Sequence, residues 1–194
     1  MFNPLISAGT FLIQFIFETY ILILMLRIVL QWVNTNPQNP LFMFIARLTD
    51  PLLQPMCRLL PALHGFDISA TIVLLVLEVL KLYFLIGLEN SLTVSPHLSG
   101  LVVLAFAQLL NQLINIFFYT IFGLAILSWI MPLAHGPIVE ILVRITEPLL
   151  RPVRNCLPSI AGLDLSPVVV LVVLKLINIA LVGSLLQIGS GLLV

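Results

Sequence analysis

"RLTDPLLQPMCRLLPALHGFDIS" at 47–69 and "RITEPLLRPVRNCLPSIAGLDLS" at 144–166 are the same text written twice. Sliding the chain on itself by 97 residues puts Arg47 on Arg144, Thr49 on Thr146, Pro51 on Pro148, Pro55 on Pro152 and Pro61 on Pro158. It also puts Gly65 on Gly162, Asp67 on Asp164 and Ser69 on Ser166, while Asp50 meets Glu147 and the charge is kept. Without a gap, the same offset aligns Trp32 with Trp129 and Pro40 with Pro137. Matches at proline, glycine, tryptophan and arginine do not arise from a shared abundance of leucine. The chain is therefore an internal duplication, with a first repeat over 1–97 and a second over 98–194.

Each repeat has one plan. The first holds apolar runs at about 11–31 and 68–88, joined by a proline-bounded linker with helices at about 40–60. The second holds runs at about 108–128 and 165–186, with linker helices at about 137–157. Runs of about 20 apolar residues suffice to cross a hydrocarbon core of about 30 Å. Of the 194 residues, 61% are hydrophobic and 8% charged, and the mean hydropathy is +1.21. Soluble domains carry roughly 25% charged residues, so this chain cannot cover a water-facing surface and its solvent is lipid. The fold class expected is an all-α membrane protein with four transmembrane helices. Two spans per repeat make the repeats parallel, related by an axis near the membrane normal.

Orientation follows from the basic residues in the loops. Arg47 and Arg58 lie in the first linker, and Arg144, Arg151 and Arg154 in the second; the connector "ENSLTVSPHLSG" and both termini have none. The linkers are expected in the cytoplasm, with the termini outside. The N-terminus has no Lys or Arg before Arg27, so the first run reads as a retained span and not a cleaved signal.

The linkers are too apolar for free loops and too short and broken to span. Asn39 before Pro40 resembles a helix start, with proline at the first helical position. Pro51 disfavours helix at Asp50, Pro55 removes a further donor and Pro61 ends the segment. Pro148 and Pro152 repeat this in the second copy. The expected form is a kinked amphipathic helix pair, interfacial or re-entrant. Ser69 and Ser166 read as N-caps of the following spans, with Pro167 at the first helical position. Arg47 and Asp50 are three residues apart, as are Arg144 and Glu147; Glu140 and Arg144 are four apart in the favoured order. These charges form a solvated edge, or Arg47 and Arg144 anchor anionic headgroups or pair with Asp67 and Asp164.

The paired "TDPLLQP" and "TEPLLRPVRNCLP…GLDLSP" motifs, with the Trp and Pro upstream of each, resemble the signature of the YggT (YlmG) family of integral membrane proteins, in its two-repeat bacterial form. The resemblance covers essentially the whole chain. The first copy departs from the second at Gln54 and Cys57, where the second has Arg151 and Arg154. The resemblance implies residence in the bacterial inner membrane. It also implies roles such as tolerance of osmotic stress, organisation of the membrane or division site, or, in plastids, cofactor assembly of a cytochrome. No member resembles an established enzyme.

Ionisable residues within spans are costly and are functional candidates by default. Glu18, Glu78, Lys81 and Lys175 are read as lying inside the runs. Depth pairs Glu18 with Lys81. Glu78 and Lys175 are repeat equivalents near mid-bilayer and are expected to face each other; the simplest alternative is an intrahelical Glu78–Lys81 pair. Gln108, Asn111, Gln112 and Asn115 stand at i, i+3, i+4 and i+7, one helical face. Asn115 is the equivalent of Glu18, and Asn111 of Gln14. This polar cluster is either interhelical glue, a hydrated ion path or an oligomer interface. Balanced charge argues against a simple cation pore, which favours excess acid.

Other chemistry is not signalled. There is no HExxH, P-loop, dinucleotide turn or GxSxG, and no basic patch for nucleic acid. His64, His97 and His135 fall in loops or interface segments, and Cys57 and Cys156 form no ligand or redox spacing. No cofactor, metal or catalytic residue is expected. The function that best fits is a non-enzymatic factor that docks lipid or a membrane-protein partner on its linkers and supports envelope or osmotic homeostasis; a homo-oligomer is the other partner to expect. The rival is an ion or osmolyte transporter using the intramembrane cluster.

Overall fold

The computed structural model describes residues 4–59, 68–89, 97–131, 136–156 and 164–193. Helix α1 (Pro4–Trp32) is followed by α2 (Pro40–Leu59) and α3 (Ile68–Glu89). The second repeat runs α4 (Leu98–Ile130), α5 (Pro137–Cys156), α6 (Ser166–Ile177), a π-helical turn (Asn178–Val182) and α7 (Gly183–Gly191). Four segments are long and apolar enough to cross a membrane: Ile6–Trp32, Ile68–Leu88, Leu98–Ser128 and Ser166–Gly191. The protein is all-helical among the described residues and multi-pass. At 33 residues, α4 is about 50 Å long and must tilt or project beyond the core.

The spans pack in the order α1, α3, α4 and α6/α7, and each linker helix rests on the two spans of its own repeat. One apolar cluster joins Ile21, Leu24 and Met25 of α1 to Ala70, Val73 and Leu74 of α3, with Leu53 of α2 beneath them. Ile114 and Ile121 of α4, Val170 and Leu174 of α6 and Leu150 of α5 repeat the arrangement. The linker helices meet at a seam of Val29, Leu30, Ile45, Ile141 and Ile145, where the Asn39 side-chain amide donates to the Pro137 carbonyl at 3.1 Å. Both linkers thus lie at one end of the bundle and form a shared surface.

Local signals set the helix ends. Asn39 caps α2, its Oδ1 accepting from the Leu41 N–H at 3.0 Å. The end of α1 is closed by a Schellman motif: Thr35 N–H donates to the Leu30 carbonyl (3.0 Å) and Asn34 N–H to that of Gln31 (3.1 Å). Asn34 takes the left-handed conformation this requires, at φ 51°, which asparagine tolerates better than most residues.

The linkers differ from expectation. The helix pair is one continuous helix in each repeat, running through Pro51 and Pro55 in α2 and through Pro148 and Pro152 in α5. The prolines stand four residues apart on the exposed face, behind exposed Arg47 and Arg144. The carbonyls they leave without donors therefore lie on the outer side. The inner faces, with Ile45 and Leu53 or Ile141, Ile145 and Leu150 buried, hold both helices against the spans.

The span entrances differ too. Ser69 is already inside α3, which begins at Ile68. Leu165, not Ser166, occupies the cap position of α6, and the Asp164 carboxylate accepts from the Ser166 N–H at 2.9 Å. A carboxylate reaching two residues forward satisfies that donor without a serine cap. Asp67, Pro61, His64, Pro158 and His135 lie outside the described residues.

Candidate functional site

Two regions bring the chemistry-bearing residues together: the linker face and the interior of the spans.

At the linker face, each repeat buries one threonine beside one acid. Thr49 donates to the Ile45 carbonyl at 2.8 Å and Thr146 to that of Leu142 at 2.9 Å. The neighbouring acids are held by different arginines. Asp50 is held by Arg27, whose Nη1 lies 2.6 Å from Asp50 Oδ1 and 2.6 Å from Thr49 Oγ1. Sequence reasoning passed over Arg27, the one basic residue in the first run; its place near the linker end of α1 was the available signal. Its repeat equivalent is Leu124. In the second repeat Glu147 is held by Arg154 at 3.4 Å, and the same guanidinium binds Asp164 at 2.7 Å.

The pairing anticipated for Arg144 with Asp164 is corrected accordingly; that of Arg47 with Asp67 falls outside the described residues. Arg154, not Arg144, takes Asp164. Arg47 is exposed and in no ion pair among the described residues; the side chain of Arg58 lies outside the described residues. Burial alone would raise the Asp164 carboxyl, but hydrogen bonds from the Ser166 hydroxyl and N–H, then from Arg154, outweigh it and hold the group below the usual carboxylate range.

Arg144 makes the i,i+4 pair with Glu140 at 3.0 Å. Its Nη1 also donates to the Asn34 carbonyl at 3.2 Å, tying α5 to the left-handed residue that ends α1. An open cleft of about 510 Å³ lies here, lined by Trp32, Asn34, Arg144, Glu147, Arg151 and Asn155 among others. Trp32 forms an edge contact with Phe117 of α4, with ring centroids 6.3 Å apart. Arg151 projects with no ion-pair partner among the described residues. The cleft presents guanidinium and amide donors and the Glu147 carboxylate beside an indole.

Inside the spans, Glu78 is 1% exposed. Lys81 Nζ lies 2.6 Å from Glu78 Oε1 and 3.9 Å from Glu18 Oε1, so the expected Glu18–Lys81 pairing and the intrahelical pair are both present. Gln14 donates to Glu18 at 2.9 Å. Glu78 does not face Lys175. Helices α3 and α6 pack on different parts of α4 and do not touch among the described residues; Lys175 is exposed. Equivalent positions in a tandem repeat meet only if the repeat axis passes between them, and here α4 intervenes.

The stripe on α4 forms a neutral counterpart. Asn115 donates to Asn111 at 3.5 Å, the same pair of positions as Gln14 and Glu18 one repeat earlier but with donor and acceptor exchanged. Asn178 donates to the same Asn111 oxygen at 2.7 Å. Gln108 and Gln112 are half-buried on α4. Asn178 was missed by sequence reasoning, although it is the repeat equivalent of Lys81 and opens the π-helical turn. No cluster of His, Cys, Asp and Glu suited to a metal ion occurs among the described residues, and Cys156 is a free, exposed thiol.

These features define the class: a multi-pass helical membrane protein made of two tandem units, each with two spans and a linker helix packed beneath them. The family model of CCB3/YggT matches twice, at residues 6–88 and 103–185, displaced by the same offset that aligns the linkers. The chain belongs to that family. It is 35% identical over 179 residues to PA0392 of Pseudomonas aeruginosa PAO1, covering 92% of this chain and 90% of that one. It is 31% identical over 184 residues to YggT of Escherichia coli K12, covering 95% and 94%. A Haemophilus influenzae protein is 31% identical over 157 residues, covering 81% and 82%. No solved structure matches.

Proposed function

We propose that this protein is a non-enzymatic membrane factor that docks anionic lipid headgroups on its linker face, supporting envelope and osmotic homeostasis or the assembly of a membrane-protein partner. The observation that carries the reading is the cleft of Trp32, Asn34, Arg144, Arg151 and Asn155. Arg151, in no ion pair among the described residues, can match phosphate with two donors at once, Arg144 adds positive charge beside it while holding Glu140 and the Asn34 carbonyl, and tryptophan favours the level of the headgroups. Arg151 is replaced in the first repeat by Gln54, so the first linker does not carry the same set. The bias of arginine to the linkers supports an inner-membrane protein with cytoplasmic linkers and outer termini. The test is retention of phosphatidylglycerol against phosphatidylcholine by the purified protein. Replacing Arg144 and Arg151 with glutamine lowers phosphatidylglycerol retention about tenfold, and equal retention by both proteins overturns the reading.

A transporter reading is favoured by one observation, the Asn111–Asn178 bond at a π-helical turn beside Lys175, since such turns recur at functional sites. The space beside it is about 50 Å³, room for roughly one or two waters and far short of a path. Potassium, sodium and proton flux into protein-loaded vesicles decides between the readings; flux abolished by replacing Asn111 and Asn178 with leucine promotes transport.

A further inference from the structure

We propose that the α6 face carrying Lys175 is the docking site for α1 of a second copy of this chain, with Lys175 of one copy receiving Glu18 of the next. Three observations converge on it.

The first is charge. Among the described residues, Glu18 and Lys175 are the charged side chains left exposed along the four spans. Glu18, Glu78 and Lys81 form one cluster of formal charge −1, two acids to one base, and the Glu18 side chain is half exposed. Lys175 carries +1 and is in no ion pair among the described residues. Charges in spans face protein or water and pair with one another. A single copy leaves one acid under-paired on α1 and one base unpaired on α6, and a second copy supplies the complement to each.

The second is the repeat. Helix α4 opens the second repeat and packs against α3 of the first. Helix α6 is the repeat equivalent of α3, yet it touches only α4, α5 and its own continuation among the described residues. No described helix takes the place beside it that corresponds to α4. The equivalent of α4 is α1, so α1 of another copy is the helix that continues the series.

The third is a receptor. Lys175 borders a notch of about 50 Å³ that it shares with Asn115, Tyr119 and Asn178. It is the second-repeat counterpart of the Glu18, Glu78 and Lys81 cluster, with both acids gone. Ammonium, amide and phenol donors surround a space of carboxylate size. Glu18 lies about 21 Å along the helix from Trp32, and Lys175 about 14 Å from Ser166, a difference of about 7 Å. The flexible lysine stem spans the difference.

The interface joins unlike faces, so copies assemble head to tail into a ring or a row. The experiment is self-association of the full chain in lipid vesicles, read by energy transfer between separately labelled pools. The wild type associates, and Lys175→Met or Glu18→Gln weakens association about tenfold while thermal unfolding of each variant stays near wild type. Glu18→Lys and Lys175→Glu each fail to associate alone, because like charges then meet at the interface. A mixture of the two restores association, because the ammonium introduced on α1 of one variant meets the carboxylate introduced on α6 of the other. A wild type that stays monomeric, or association unchanged by Lys175→Met, overturns the proposal. If Glu18→Lys disturbs Lys81 and does not fold, the Lys175→Met and Glu18→Gln measurements decide alone.

Discussion

Helix α3 of the first repeat keeps its charges inside, and its equivalent α6 in the second carries its charge on the outside. Glu78 and Lys81 are 1% and 4% exposed, while their equivalents Lys175 and Asn178 are exposed and half-buried. The difference teaches how duplicated units diverge. Helix α3 is enclosed by α1 and α4, so a charge there had to be paired within the chain. Helix α6 packs on α4 and α5 but on no third helix among the described residues, so the same position was free to carry an unpaired base.

The largest effect that would break this contrast is expected at Lys81. Lys81→Met leaves the Glu78 carboxylate buried without its ammonium and lowers stability by about 3 kcal/mol. Combining it with Glu78→Leu recovers most of the loss, since an apolar pair of similar size replaces a buried ion pair at little cost. Denaturant unfolding in detergent micelles reads both variants; a harmless Lys81→Met would show that Glu78 finds another partner.

The next effect concerns the acid beside each buried threonine. Arg27→Leu strips Asp50 of a partly buried partner and removes a bond to Thr49, costing about 2 kcal/mol. The equivalent acid, Glu147, is held by exposed Arg154, so Arg154→Leu costs under about 1 kcal/mol. Equal losses in the same unfolding assay would contradict the difference in burial.

A smaller effect sharpens the comparison at the other end of the second repeat. A Cβ at Gly100 would stand 2.8 Å from the Leu192 backbone carbon, because α4 and the end of α7 approach closely there. Gly100→Ala must move one helix and costs about 1–2 kcal/mol. Gly123 on the same helix has open space where its Cβ would be, so Gly123→Ala is neutral or slightly stabilising. Thermal shifts of the same sign in both variants would speak against the close approach.

The smallest is the pH response of the second span entrance. The Asp164 carboxyl is held below its ordinary range. Its contribution is therefore present above the unfolded-state pKa and is lost as pH falls through the lower folded value. The protection factor of the Ser166 amide, taken against the intrinsic exchange rate at each pH, stays high near neutrality and falls only in acid. Asp164→Asn removes that acid step, and an unchanged profile in the variant would assign the step elsewhere.

The duplication, the four spans and the linker positions were legible in the sequence. Proline, glycine and tryptophan recur at one offset, and apolar runs of membrane length need no partner to be recognised. Asn39 was readable as a cap for the same reason: its carboxamide reaches only two residues ahead. The Glu140–Arg144 pair followed from helical spacing, and depth alone placed Glu18 near Lys81.

Tertiary structure decided the rest. Whether a proline breaks a helix depends on which face it occupies, and here packing of the opposite face carries α2 and α5 through two prolines each. Which arginine holds Asp50 depends on how α1 crosses α2, so Arg27 prevailed over the sequence neighbour Arg47. Whether Glu78 meets Lys175 depends on what stands between α3 and α6. Local spacing fixes contacts within a few residues because the helix repeat is rigid; contacts between helices depend on crossing and order, which the apolar pattern of a lipid-facing chain encodes weakly because both faces are alike.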